Sequence, residues 1–159
     1  MLDKGAEVDR ACEDDKTPLY IACENGHGDA ARLLLEKGTD VNQADKDGAT
    51  ALLLAASAGR TAVARLLLER GAAVDRVDID GGSSLMTAGA NGHSAMTRLL
   101  IRHGAALELS DAEGRTSLIW ACASGHTATA RVLLDADANL EAKTANLAPR
   151  CAQHGPLGS

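Results

Sequence analysis

One set of residues returns every 33 positions along this chain, and that step constrains the fold more than any other feature. The triplets Leu33-Leu34-Leu35, Leu66-Leu67-Leu68, Leu99-Leu100-Ile101 and Val132-Leu133-Leu134 keep it. So do two glycine series, Gly26, Gly59, Gly92, Gly125 and Gly38, Gly71, Gly104. A fixed period of this length means one supersecondary unit stacked on copies of itself, with a core that runs as a strip through the stack.

Within one period the order of signals is turn, helix, turn, helix. Asp45-Lys46-Asp47-Gly48 is a turn signature, since Asp and Gly hold the conformations a tight turn needs. The Thr50 hydroxyl can cap a helix start, and Ala51 to Ala56 follows as a short helix. Gly59 ends it, because a positive φ costs glycine little. A second helix, roughly Arg60 to Arg70, buries Val63, Leu66, Leu67 and Leu68 along one side. Gly71 closes that helix, and Ala72 to Asp75 is predicted to run extended into the next turn.

In this phase the units run 12–44, 45–77, 78–110 and 111–143. Residues 1–11 match the closing part of a preceding unit, and residues 144–159 a degenerate tail. The last five, Gly155-Pro156-Leu157-Gly158-Ser159, resemble a cloning remnant. The chain is therefore expected to be a piece of a longer array.

The sequence resembles the ankyrin repeat family. The residues that carry the resemblance are Thr17-Pro18-Leu19-Tyr20-Ile21-Ala22, then Gly26-His27, then Leu33-Leu34-Leu35-Glu36-Lys37-Gly38, then Asp40-Val41-Asn42, and they return in phase from Leu2 to about Lys143. The resemblance implies an all-α solenoid of stacked helix-turn-helix units joined by β-turn or hairpin loops. Several positions depart from the family pattern. Tyr20, Leu53, Met86 and Ile119 stand where the family has His, so its turn hydrogen bonding is expected to give way to apolar packing. Asp137 replaces the last closing glycine, which predicts a looser helix end.

Composition narrows the function. The formal net charge is −6 and aromatic residues make up 1 %, which leaves neither the basic patch nor the stacking side chains that nucleic acid needs. Acidic residues crowd the start, from Asp3 to Asp15; they read as a solvated surface, with docking of a basic partner as the sharper alternative. Cys12, Cys23, Cys122 and Cys151 show no paired spacing for zinc or a disulfide framework. Cys23 and Cys122 share one unit position, where a small buried side chain fits. Free thiols point to a reducing compartment, and no apolar run is long enough to span a bilayer. An intracellular, cytoplasmic chain without membrane contact is expected.

No constellation for chemistry emerges. His27, His93 and His126 are in register, but equivalent positions in a stack lie about 10 Å apart. Zinc ligands must converge within about 2.0–2.3 Å of one centre. They read as the polar start of each second helix. Cys122 precedes His126 by one helix break, which sets the two on different faces. Gly81-Gly82-Ser83-Ser84 lacks the phosphate-loop lysine and reads as a turn with a helix cap. No enzyme activity, metal or cofactor is expected.

The expected role is a non-catalytic module that binds a protein partner; a structural spacer in a longer array is the alternative. The resemblance implies that turn tips and the ends of the first helices, along a concave face, make the contacts. Carried over, the candidates include Lys46, Asp47, Asp80, Asn91, Glu113, Arg115 and Ser124. Ile79, flanked by Val77, is an apolar side chain at a turn tip: it either meets a partner or packs sideways on neighbouring tips. Trp120 shares its unit position with Ile21, Leu54 and Thr87. It is either an interface anchor or a partly buried packing residue. A monomer is expected, with end-to-end self-association through uncapped terminal units as the alternative. Nothing in the sequence names the partner.

Overall fold

The structure is a computed structural model that describes residues 8–136. Residues 1–7 and 137–159, which include Asp137 and the tail, lie outside the described residues. Among the described residues, eight helices form four pairs. They are α1 Pro18–Asn25, α2 Gly28–Glu36, α3 Ala51–Ser57, α4 Thr61–Glu69, α5 Ser84–Ala90, α6 Ser94–Arg102, α7 Ser117–Ala123 and α8 Thr127–Asp135. The first helix of each pair, α1, α3, α5 and α7, packs on its counterpart in the next pair. The second helices α2, α4, α6 and α8 form a parallel layer beside them. The predicted helix boundaries hold to within one residue at 51–57 and 61–69. The segment predicted to run extended does not: Val74 and Asp75 lie in a turn.

Each first helix starts at a hydroxyl. Thr17, Thr50, Ser83 and Thr116 are buried, and their side-chain oxygens accept the backbone N–H of Tyr20, Leu53, Met86 and Ile119 at 3.2–3.4 Å. Each satisfies a donor that the first helical turn leaves without an intrahelical partner. The core then repeats in register. Leu19, Leu52, Leu85 and Leu118 fill it from the first helices, and Leu67, Leu100 and Leu133 from the second; in α2 the buried leucine is Leu35, one residue past that register, while Leu34 is half-buried.

The first helices approach closely because their packing side chains are small. Cys23, Ala56 and Gly89 occupy one unit position, all buried. At Gly89 even a methyl group is too much, since a Cβ there would sit 2.8 Å from the Ser117 carbonyl oxygen on α7. Cys122, at the same position on α7, is exposed, contrary to the buried site expected from its register. Its face of α7 is the one that receives the next first helix in the earlier pairs.

Three kinds of polar contact stand out among those that join one pair to the next. At the hairpin tips the backbone N–H groups of Lys46, Ile79 and Ala112 donate to the carbonyls of Asp14, Asp47 and Asp80 at 3.4, 3.0 and 3.1 Å. Behind the second helices, Asn42 Oδ1 accepts the Ala73 N–H at 2.8 Å and Asp75 Oδ1 accepts the Ala106 N–H at 3.0 Å. The histidines supply the third contact. The His93 ring lies against Gly59, where a Cβ would come within 2.8 Å of Nδ1, and His93 Nε2 is 3.0 Å from the Ser57 carbonyl. His126 packs on Gly92 in the same way.

Leu67, fully buried in α4 between two other pairs, should be costly to truncate. Leu67→Ala is expected to lower the unfolding free energy by about 2–5 kcal/mol in a urea melt. Gly89→Val should also destabilise, by about 1–3 kcal/mol, because α5 and α7 must move apart; Ala56→Val at the equivalent site of α3 is the comparison.

Candidate partner-binding surface

Three of the four hairpin tips are organised by an aspartate that the sequence presents only as a turn former. Asp45, Asp78 and Asp111 each turn Oδ1 back on their own loop. There it accepts the N–H groups two and four residues on, Asp47 and Ala49, Asp80 and Gly82, Glu113 and Arg115, at 2.8–3.0 Å. This side-chain turn holds the tip rigid. The first tip lacks it, because Cys12 stands at that position and Asp15 takes the left-handed conformation (φ 61°) that Gly48, Gly81 and Gly114 adopt in the later tips.

Between the third and fourth tips lies a cleft of about 500 Å³, with Asp78, Asp80, Asp111, Ala112, Glu113 and Arg115 on the hairpin side. Met86, Thr87, Ala90 and Trp120 close it from the first helices. Asp111 binds the far end together. Its Oδ2 accepts Trp120 Nε1–H at 3.0 Å and Arg115 Nε–H at 2.9 Å. The Arg115 guanidinium lies 4.0 Å from the centre of the Trp120 ring and also reaches Glu113 Oε2 at 3.2 Å. A guanidinium over an indole face is a favourable cation–π arrangement. Burial alone would raise the Asp111 carboxyl. The hydrogen bonds from Arg115, Trp120 and the Glu113 backbone outweigh it and hold the group below its ordinary value.

Of the residues singled out in the sequence, Asp80, Glu113, Arg115 and Trp120 come together in this cleft. Trp120 is neither free nor fully buried. Ile79 is 70 % exposed, so it does not pack away on the neighbouring tips, and Val77 beside it is also exposed. The Ile79 backbone ties to Asp47, at the tip where the exposed Lys46 ammonium meets Asp14 Oδ1 at 2.7 Å. That pair is solvent-screened and contributes little to stability. Asn91 donates its side-chain amide to the Ser57 carbonyl at 3.3 Å, and Ser124 is the exposed cap of α7; neither lines the cleft.

Sequence reasoning passed over Asp78, Asp111, Met86 and Thr87. The signal available was the 33-residue step of Asp45, Asp78 and Asp111. At the other end of the face, Tyr20 is buried, in keeping with the packing expected at that position, and its phenol lies within electrostatic reach of the Asp45 carboxylate of the next unit. Burial first, then Asp45, pushes its phenol well above the ordinary range. Lys16 lies over its ring, 5.5 Å from the centroid.

No group of three or more potential metal ligands converges among the described residues. No described helix is long and apolar enough to cross a membrane. Burial pushes the Cys23 thiol up to about 12, which keeps it protonated and unreactive at neutral pH.

A family model described as ankyrin repeats (3 copies) matches residues 1–78 and again residues 71–144. The chain belongs to the ankyrin repeat family. Comparison with curated proteins returns no match. Ankyrin repeats are generally protein–protein interaction modules and are typically non-catalytic. In this ankyrin stack the cleft is an irregularity laid on a regular scaffold. Its Asp111–Trp120–Arg115 clamp has no counterpart at Leu54 or Thr87, where Trp120's unit position recurs.

A carboxyl held lower in the folded chain than in the unfolded one stabilises the fold at pH values above its unfolded value, about 3.9. That contribution is lost as pH falls through the lower folded value. Trp120 emission should therefore stay constant on acidification to about pH 4 and change below it. Asp111→Asn should abolish the low-pH step in the same fluorescence titration.

Proposed function

We propose that this ankyrin chain is a non-catalytic module that binds a protein partner through the concave face formed by its hairpin tips and first helices. The contact is centred on the cleft between the third and fourth units. The observation that carries this reading is the Trp120 site: an aromatic side chain, oriented by Asp111 and stacked with Arg115, presented at the floor of a cleft about 500 Å³ in volume. A rigid aromatic anchor in a pocket is what interface hot spots are built on. Ile79 and Val77 add exposed apolar surface at the neighbouring tip, with Asp80, Glu113 and Arg115 around the cleft. Lys46, Asp47, Asn91 and Ser124 extend the contact along the tips and helix ends. The chain acts as a monomer in the cytoplasm, and neither nucleic acid nor membrane is its target.

The test is affinity capture from the source cells with mass spectrometry, using the native chain, Trp120→Ala and Ile79→Asp in parallel. Both substitutions should preserve the helical circular dichroism. Each should strip the same protein from the capture, with a loss of about 2 kcal/mol or more in affinity at Trp120. A capture profile unchanged by both variants would place the interface elsewhere.

A further inference from the structure

The modest net charge conceals a strong separation of sign between the two layers of the stack. In the tip and first-helix segments, 12–26, 45–59, 78–92 and 111–125, ten carboxylates face three basic side chains, Lys16, Lys46 and Arg115. In the second-helix segments, 27–38, 60–71, 93–104 and 126–136, eight basic side chains face four carboxylates. The layer that carries the cleft is the acidic one. Within the cleft, Asp78, Asp80, Asp111 and Glu113 are set against Arg115 alone. A concave, low-dielectric wall of one sign focuses the field on whatever enters it.

We propose that the partner segment this face takes is basic, and that one of its arginine or lysine side chains enters the cleft beside Asp80 and Glu113. This rests on the reading of the face as the binding surface and adds the chemistry of its occupant. Besides the charge of the layer, the cleft already holds a cation of the proposed kind. The Arg115 guanidinium sits over the Trp120 ring within reach of two carboxylates, Asp111 at 2.9 Å and Glu113 at 3.2 Å. Arg115 thus shows that a guanidinium fits between this indole and these carboxylates. It also makes Arg115 a competitor for the entering side chain. Asp80, exposed on the opposite wall, makes no side-chain hydrogen bond or ion pair to another described residue, so no described residue neutralises its charge. An acidic or purely apolar segment would leave the Asp80 carboxylate without a countercharge in the cleft.

The consequence separates this proposal from a generic interface. Removing Arg115 should strengthen binding of the basic segment, whereas an ordinary contact residue weakens binding when it is lost. Trp120, the single tryptophan of the chain, reports on the cleft directly. An octapeptide of alternating glycine and arginine, blocked at both ends, should change its emission saturably at low salt. The response should fade as salt rises. The same peptide with glutamate for arginine should give no response. The double variant Asp80→Asn, Glu113→Gln should weaken the arginine peptide about two- to fivefold per charge removed. Arg115→Gln, with its circular dichroism intact, should tighten it by a similar factor.

A response to the glutamate peptide, no saturable response to the arginine peptide, or weaker binding by Arg115→Gln would each overturn the proposal. Should the arginine peptide fail while cellular capture still depends on Trp120 and Ile79, the face stands and its preference for a cation falls. Should capture be indifferent to both residues while the peptide binds as described, the cation site stands and the protein-partner role of the face falls.

Discussion

The close approach of the first helices sets everything built on them. Cys23, Ala56 and Gly89 bring successive backbones together, and at Gly89 the Ser117 carbonyl leaves no space for a methyl group. Such contacts gain dispersion energy along the length of the stack and lose it steeply if the helices part. They also fix the separation of the hairpins above them. Only at that separation can Ile79 N–H reach the Asp47 carbonyl and Ala112 N–H the Asp80 carbonyl.

That ladder makes a surface of separate loops. The second, third and fourth tips are each locked by their own aspartate and tied to the tip before, so a side chain at one tip has a defined position relative to the next. The cleft is a product of this order. Asp78 and Asp80 reach it from one tip, Asp111, Glu113 and Arg115 from another, and Trp120 from the helix beneath. The first tip, with Cys12 and Asp15 in place of the locking residues, lacks this arrangement. Where the tips are firmest, the side chains are also the most specifically placed.

Asp111 links scaffold and surface. Through one oxygen it shapes its loop, as Asp45 and Asp78 do. Through the other it orients Trp120 and Arg115. A turn-forming residue has thereby become the positioning group for the least regular side chains of the chain. The histidines show the same economy. They begin the second helices, as their position predicts, and at His93 and His126 the rings also seal each unit against a glycine of the one before.

Much of this was legible in the sequence because it is local. The hydroxyls at Thr17, Thr50, Ser83 and Thr116 cap the helices that follow them, and the leucine triplets mark the second helices, although Leu33 and Leu134 within them stay exposed. These choices depend on residues three or four positions apart, and the 33-residue step repeats them. Contacts between units depend on residues about 30 positions apart, which periodicity aligns but does not pair. Tyr20 finding Asp45, Asn42 finding Ala73 and the exposure of Cys122 follow only once the units are stacked. The sequence by itself determined the repeat, the caps and the core. Tertiary structure alone decided that Asp80, Glu113, Arg115 and Trp120 share one cleft, because only the packing distance of the helices brings tips from different units within reach of each other.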